Sequence, residues 1–188
     1  MNGLKASKAA ARKAARARRK PIFDAAPAGQ AKHLNAVLSR YHGAPLAGFM
    51  PIGTEIDPTP AMVAACADSS VGVPVITGAD QALKFACWTP QTPMISGAFG
   101  AMIPSAPVYM EPEIVVVPLL AFTRRGDRLG YGGGFYDRTL QQLRAKRLTL
   151  AIGFAFAGQE VPDIPLENTD QPLDLVVTEA GVIDPRIA

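Results

Sequence analysis

The chain has 188 residues, 48% of them hydrophobic and 19% charged, with a formal net charge of +3. That size and balance suit one globular domain with a buried core and exclude a disordered chain. Two distant cysteines, Cys66 and Cys87, exclude a disulfide framework or cysteine cluster and fit free thiols in a reducing compartment.

The charge is concentrated at the amino end. Residues 1–20 hold Lys5, Lys8, Arg12, Lys13, Arg16, Arg18, Arg19 and Lys20 and no acid, so the remainder is net acidic. The high pI therefore belongs to one segment and does not describe the whole surface. Alanine and long basic residues predict a helix over residues 4–20, ended by Pro21. Lys8, Arg12, Arg16 and Arg19 share one face of it. A solvated basic helix, a transit peptide and a nucleic-acid-binding arm are the three readings. The segment lacks the serines of a transit peptide and the interleaved aromatics of a base-stacking arm.

A second helix is predicted over 30–41, with Leu34, Val37, Leu38 and Tyr41 at core spacing, followed by a strand over 46–50. Asp57-Pro58-Thr59-Pro60 marks the start of a helix over 60–68. Strands follow over 71–77 and 83–88. Residues 89–112 are rich in proline and glycine and read as an irregular excursion. The apolar run 113–122 reads as one central strand covered on both faces. It is broken by Pro118 and is too short to span a bilayer.

Residues 126–138 read GDRLGYGGGFYDR. Glycine at this density, mixed with arginine, aspartate and aromatics, differs from a flexible linker. Backbone N–H groups in such a turn form a concavity for phosphate. Arg128 and Arg138 add charge, and Asp137 is a hard oxygen ligand suited to Mg²⁺. A helix over 135–146 and strands over 149–156 and 173–178 complete the chain. The alternation predicts an α/β fold, a three-layer domain with a central, mainly parallel sheet and the glycine loop at a strand's carboxyl end.

Several chemistries fail on the residues. No Gly-Lys-Ser/Thr follows the glycines, the dinucleotide fingerprint is broken at Phe135, and Ser96 lacks its flanking glycines. His33 and His42 have no metal-binding or nucleophilic partner pattern.

GDRLGYGGGFYDR, preceded by VVPLLAF, resembles the signature of the 5-formyltetrahydrofolate cyclo-ligase family, also called methenyltetrahydrofolate synthetases. KAAAR (8–12), FMPIGTEID (49–57) and IGFAFAGQEVPDIPLENTDQPLDLVVTE (152–179) resemble further landmarks in the same order. The resemblance implies ATP- and Mg²⁺-dependent closure of 5-formyltetrahydrofolate to 5,10-methenyltetrahydrofolate through a phosphorylated formyl oxygen. It implies that Lys8 and Arg12 contact ATP phosphates, with Arg128, Leu129, Gly130, Tyr131, Gly132, Gly133, Gly134, Phe135 and Tyr136 completing the nucleotide site. Lys8, Arg128 and Tyr136 would act at the reacting atoms. Met50, Glu55 and residues 131–135 would border the folate, and Asp137 and Asp170 would hold Mg²⁺. Without the resemblance, Asp170 is equally a loop-capping aspartate, Glu55 a surface acid and Met50 a core methionine.

Two departures stand out. Val75 follows Val73-Pro74 where the family often has arginine, and Thr169 precedes Asp170 where histidine is common. The expected protein is a cytoplasmic monomer acting on a small molecule, with no nucleic-acid or membrane partner. The rival readings are a non-catalytic relative that sequesters 5-formyltetrahydrofolate and a nucleic-acid-binding protein.

Overall fold

The computed structural model describes residues 2–187. Helix α1 (Asn2–Asp24) runs straight through Pro21 instead of ending there. Proline removes one intrahelical N–H and crowds the preceding turn. Here the last turn is held from outside: Ile22 packs over Gly158, and Phe23 meets the Phe156 ring edge-on at 6.4 Å. Tertiary contact thus overrides the local stop signal.

Two short helices, α2 (Lys32–Leu38) and α3 (Thr59–Ala65), flank strand β1 (Leu46–Ala47) in sequence. Both are shorter than their patterns predict. Strands β2 (Val71–Val75) and β3 (Lys84–Cys87) follow. The stretch read as irregular contains a hairpin, β4 (Met94–Ser96) with β5 (Met102–Pro104), and a short strand, β6 (Tyr109–Met110), which pairs with β3.

The apolar run is two strands, not one. β7 (Ile114–Pro118) ends at proline, which has no N–H to extend the ladder. The chain then leaves the sheet and forms a separate ribbon, β8 (Ala121–Phe122) with β9 (Arg128–Leu129). The glycine turn follows that ribbon. Helix α4 (Phe135–Lys146) begins at its end, as the sequence predicts. Strands β10 (Leu150–Phe154), β11 (Leu175–Val177) and β12 (Val182–Ile183) finish the chain.

The main sheet has the order β12-β11-β10-β7-β1-β2-β3-β6. The run β11-β10-β7-β1-β2 is parallel, and the outer strands are antiparallel. Successive side chains of β7 point to opposite faces. Ile114 and Val116 join Leu34, Val37, Leu38 and Met62 beneath α2 and α3, while Val115 and Val117 join Leu140 and Leu143 of α4. Helices therefore cover both faces. From β1 the chain moves one way to β2, and from β7 it moves the other way to β10. The crevice at such a reversal is where open α/β sheets bind ligands.

Gln159, one of the landmarks within 152–179, is 1% exposed. Its Nε2 donates to the carbonyls of Leu119 (2.9 Å) and Leu120 (3.1 Å), and its Oε1 accepts from the Phe156 amide (2.9 Å). One side chain thus satisfies three backbone groups where the chain leaves β7 and β10. Gln159→Leu should lower the unfolding free energy by about 2–4 kcal/mol, because the buried carbonyls and amide lose partners without gaining water. A lower urea midpoint at unchanged slope is the expected reading.

Candidate active site

A cavity of about 750 Å³ opens over the carboxyl ends of β1, β2 and β7, bordered there by Phe49, Met50, Pro74, Ile76 and Pro118. That volume lies within the roughly 300–1,000 Å³ of small-ligand pockets. Its other walls come from α1, the glycine turn, the β4–β5 hairpin and residues 167–170.

α1 presents its basic face to this cavity. Lys8 is buried, and its Nζ donates to Asp170 Oδ2 at 2.7 Å and to Glu167 Oε2 at 3.2 Å. Arg12 Nε donates to the Gly130 carbonyl at 3.0 Å. Arg16 reaches the cavity wall with its guanidinium carbon 5.9 Å from the Tyr131 ring centre. The reading of this segment as a solvated basic helix is corrected: Lys8, Arg12 and Arg19 are turned toward the protein, while Lys5, Lys13, Arg18 and Lys20 stay exposed.

The glycine turn needs the residues it has. Gly132 (φ 103°) and Gly134 (φ 65°) occupy backbone conformations that disfavour side chains. A Cβ at Gly132 would lie 3.0 Å from Arg12 Cζ, so the turn and α1 are in close contact.

Arg128 enters from β9, with its side chain 4% exposed. Nη2 pairs with Asp137 Oδ1 in the first turn of α4, and Nη1 donates to the Gln171 carbonyl. Asp137 Oδ1 also accepts the Gln171 amide at 3.0 Å. Burial pulls the Arg128 guanidinium below its ordinary range, while Asp137 and then Asp170 push it back. An arginine starts so high that it remains charged.

Glu55 is buried beside the opposite wall. Its Oε2 accepts from the Ile52 amide at 2.8 Å, and its Oε1 accepts from the Tyr131 hydroxyl. Burial pushes its carboxyl above the usual range; the Tyr131 bond, the Ile52 amide and Arg19 partly reverse that. Burial also pushes both the Tyr131 and Tyr136 hydroxyls up, so each is a neutral donor at neutral pH. The Tyr136 hydroxyl is buried and has no hydrogen-bond partner among the described residues.

Residues 4–179 match the sequence profile of the 5-formyltetrahydrofolate cyclo-ligase family. The chain belongs to that family. A 5-formyltetrahydrofolate cyclo-ligase from Haemophilus influenzae is 42% identical over 101 residues, covering 50% of this chain and 54% of that one. The Escherichia coli cyclo-ligase is 46% identical over 70 residues, covering 37% of this chain and 38% of that one. These alignments span about half or less of each relative's length. The Mycolicibacterium smegmatis cyclo-ligase is 29% identical over 194 residues, covering 94% of this chain and 96% of that one. Among solved structures, the Aquifex aeolicus 5,10-methenyltetrahydrofolate synthetase superposes with a TM-score of 0.73 at 25% identity, over 95% of this chain and 93% of that one.

All the cyclo-ligase signature residues singled out in the sequence, Lys8, Arg12, Met50, Glu55, Arg128–Asp137 and Asp170, border this one cavity. The sequence reading missed Phe99, Ile103, Arg16 and Glu167, which line it as well. Phe99 is 76% exposed with φ 56°, an unusual conformation for a large side chain. Its signal was an aromatic set among glycine and alanine at 97–101. Phe85 and Trp88 are core residues.

The residues present fit phosphate and Mg²⁺, the groups the sequence resemblance implies. Among the described residues, the space beside Gly130 is open, Arg12 bonds only a carbonyl, and the Tyr136 hydroxyl lacks an acceptor. All three suit phosphate oxygens. Asp137 and Asp170 both line this cavity, and no cluster of three metal-binding side chains exists among the described residues. Two carboxylates completed by water and phosphate suit Mg²⁺.

Asp137 also has a structural task, as counter-charge to a buried arginine. Asp137→Asn keeps an acceptor but removes the charge, so stability should fall by about 1–3 kcal/mol. Urea unfolding of the variant beside wild type measures it; an unchanged midpoint would deny that task.

Proposed function

We propose that this chain is an enzyme that closes 5-formyltetrahydrofolate to 5,10-methenyltetrahydrofolate with ATP and Mg²⁺, acting as a single-domain monomer in the cytoplasm. The observation that carries this reading is the convergence, around one cavity, of the glycine turn, Lys8, Arg12, Arg128, Asp137 and Asp170 on one side and an apolar wall with a buried glutamate on the other. Two free cysteines support a reducing location. No helix among the described residues is long and apolar enough to cross a membrane.

The two sides divide the work. Met50, Phe99 and Ile103 offer apolar area for a flat ring system, and Glu55 offers acceptors for ring N–H groups. Lys8, Arg12 and Arg128, with the backbone N–H groups of residues 130–134, would hold the phosphates, and Asp137 with Asp170 would hold Mg²⁺. When bound, ATP supplies the phosphoryl group that makes the formyl oxygen a competent leaving group for ring closure by N10. Transfer of this kind depends mainly on positioning and charge neutralisation. Lys8 is the cation best placed for a reacting oxygen, being held by Asp170 and Glu167 instead of ranging through solvent. Tyr136 would donate its otherwise unpaired proton to an oxygen of the bound ligands.

The test is formation of methenyltetrahydrofolate, followed by its near-ultraviolet absorbance, with 5-formyltetrahydrofolate, ATP and Mg²⁺ present. Turnover that requires both ATP and Mg²⁺ is expected, and Lys8→Met should cut kcat/KM by about 10²–10³-fold. Tight folate binding without turnover would overturn the enzymatic reading in favour of sequestration.

A further inference from the structure

Arg19 stands behind the cavity wall, yet it is tied to both of its sides. Its side chain is buried on α1, with the residue 5% exposed. A buried cation is costly unless its N–H groups are bonded and a counter-charge is close. Its hydrogen bonds among the described residues go to hydroxyls, not to a carboxylate: Nε donates to Thr54 Oγ1 at 3.0 Å and Nη1 to Tyr131 Oη at 2.6 Å. Its guanidinium carbon also stands 5.6 Å from the centre of the Tyr131 ring. The counter-charge, Glu55, lies one hydroxyl further on.

The direction of this chain of bonds is fixed by chemistry. A guanidinium only donates, so the Tyr131 oxygen must accept from it. The single phenolic proton is then left for Glu55. Both Glu55 oxygens receive a donor, one from Tyr131 and one from the Ile52 amide. That arrangement favours the carboxylate over the acid.

We propose that Arg19 is a positioning residue that acts through Tyr131 to aim Glu55 into the cavity and hold it as a carboxylate for the folate. The assignment rests on the folate reading of the cavity for its substrate, but the relay itself is a property of the protein. α1 thereby serves both ends of the site: Lys8 and Arg12 at the phosphate end, and Arg19, about three turns later, at the ring end. The charged and titratable groups around Glu55 are Arg19 and, through the shared Tyr131 ring, Arg16 from α1, Tyr131 from the glycine turn and Tyr136 from α4. Burial pushes both tyrosine hydroxyls upward, so of these groups Glu55 is the one that gains a proton as pH falls from neutral. Removing the Arg19 charge removes an influence that lowers the Glu55 pKa, so the acid limb of the pH profile moves to higher pH.

Arg19→Gln, Arg19→Lys, Tyr131→Phe and the double variant that joins Arg19→Gln to Tyr131→Phe test this. Arg19→Gln is expected to raise KM for 5-formyltetrahydrofolate about tenfold, the scale of one charge-assisted bond, with a smaller change in kcat. The acid limb of kcat/KM should shift upward in Arg19→Gln and return toward wild type in Arg19→Lys. In the Tyr131→Phe background, Arg19→Gln should add little, because the relay is already cut. Carbon-13 NMR titration of the Glu55 carboxyl in wild type and Arg19→Gln needs no substrate. It should show the same upward move, so it separates failure of the relay from failure of the folate reading. An unmoved Glu55 titration, or independent multiplication of the Arg19→Gln and Tyr131→Phe effects, would overturn the proposal. Should Arg19→Gln fail to fold, Tyr131→Phe alone must shift Glu55 in the same direction.

Discussion

A full positive charge sits at Arg128 in surroundings nearly closed to water, and the walls of the phosphate side are arranged around that fact. Unpaired, such a guanidinium would carry a desolvation cost of several kcal/mol. It is met by Asp137 and by the Gln171 carbonyl, and Asp137 in turn accepts the Gln171 amide. The result is a closed set of bonds among β9, the first turn of α4 and the loop that carries Asp170. None of the three segments can shift without exposing an unpaired charge to an apolar interior. The ribbon β8–β9 and the clamp made by Gln159 hold β9 in place from the other side.

The cavity is electrostatically two-sided. Cations dominate where the glycine turn meets α1, and each acid there is already held by one of them: Asp170 by Lys8 and Asp137 by Arg128. At the other end a single buried carboxylate, Glu55, stands against apolar side chains. Tyr131 is the joint between the ends, since it belongs to the glycine turn by sequence and to Glu55 by hydrogen bonding.

Much of this was legible in the sequence, for identifiable reasons. Residues 135–146 were read with the right ends because glycine stops on one side and helix formers run unbroken on the other. The β7 run was read too long because Val-Val-Val-Pro-Leu-Leu-Ala-Phe carries no polar break; only Pro118 marks the exit from the sheet. Pro21 misled in the opposite sense, since nothing local announces that Ile22 and Phe23 will be docked. The hairpin at 94–104 was hidden by its glycines and prolines. The pocket-lining residues of the signature were visible because their types are chemically unusual. Arg19 was not, because in a helix made of alanine and arginine a buried guanidinium and a solvated one are the same letter.

Lys8 and Asp170 are separated by 162 positions along the chain, yet they touch. Lys8 therefore lacks its two acid partners, Glu167 and Asp170, until residues 167–170 have been made. Contacts of such long range bear a loop-closure cost that only late packing repays. The phosphate side of the cavity is thus completed only when α1 and the loop at 167–170 come together.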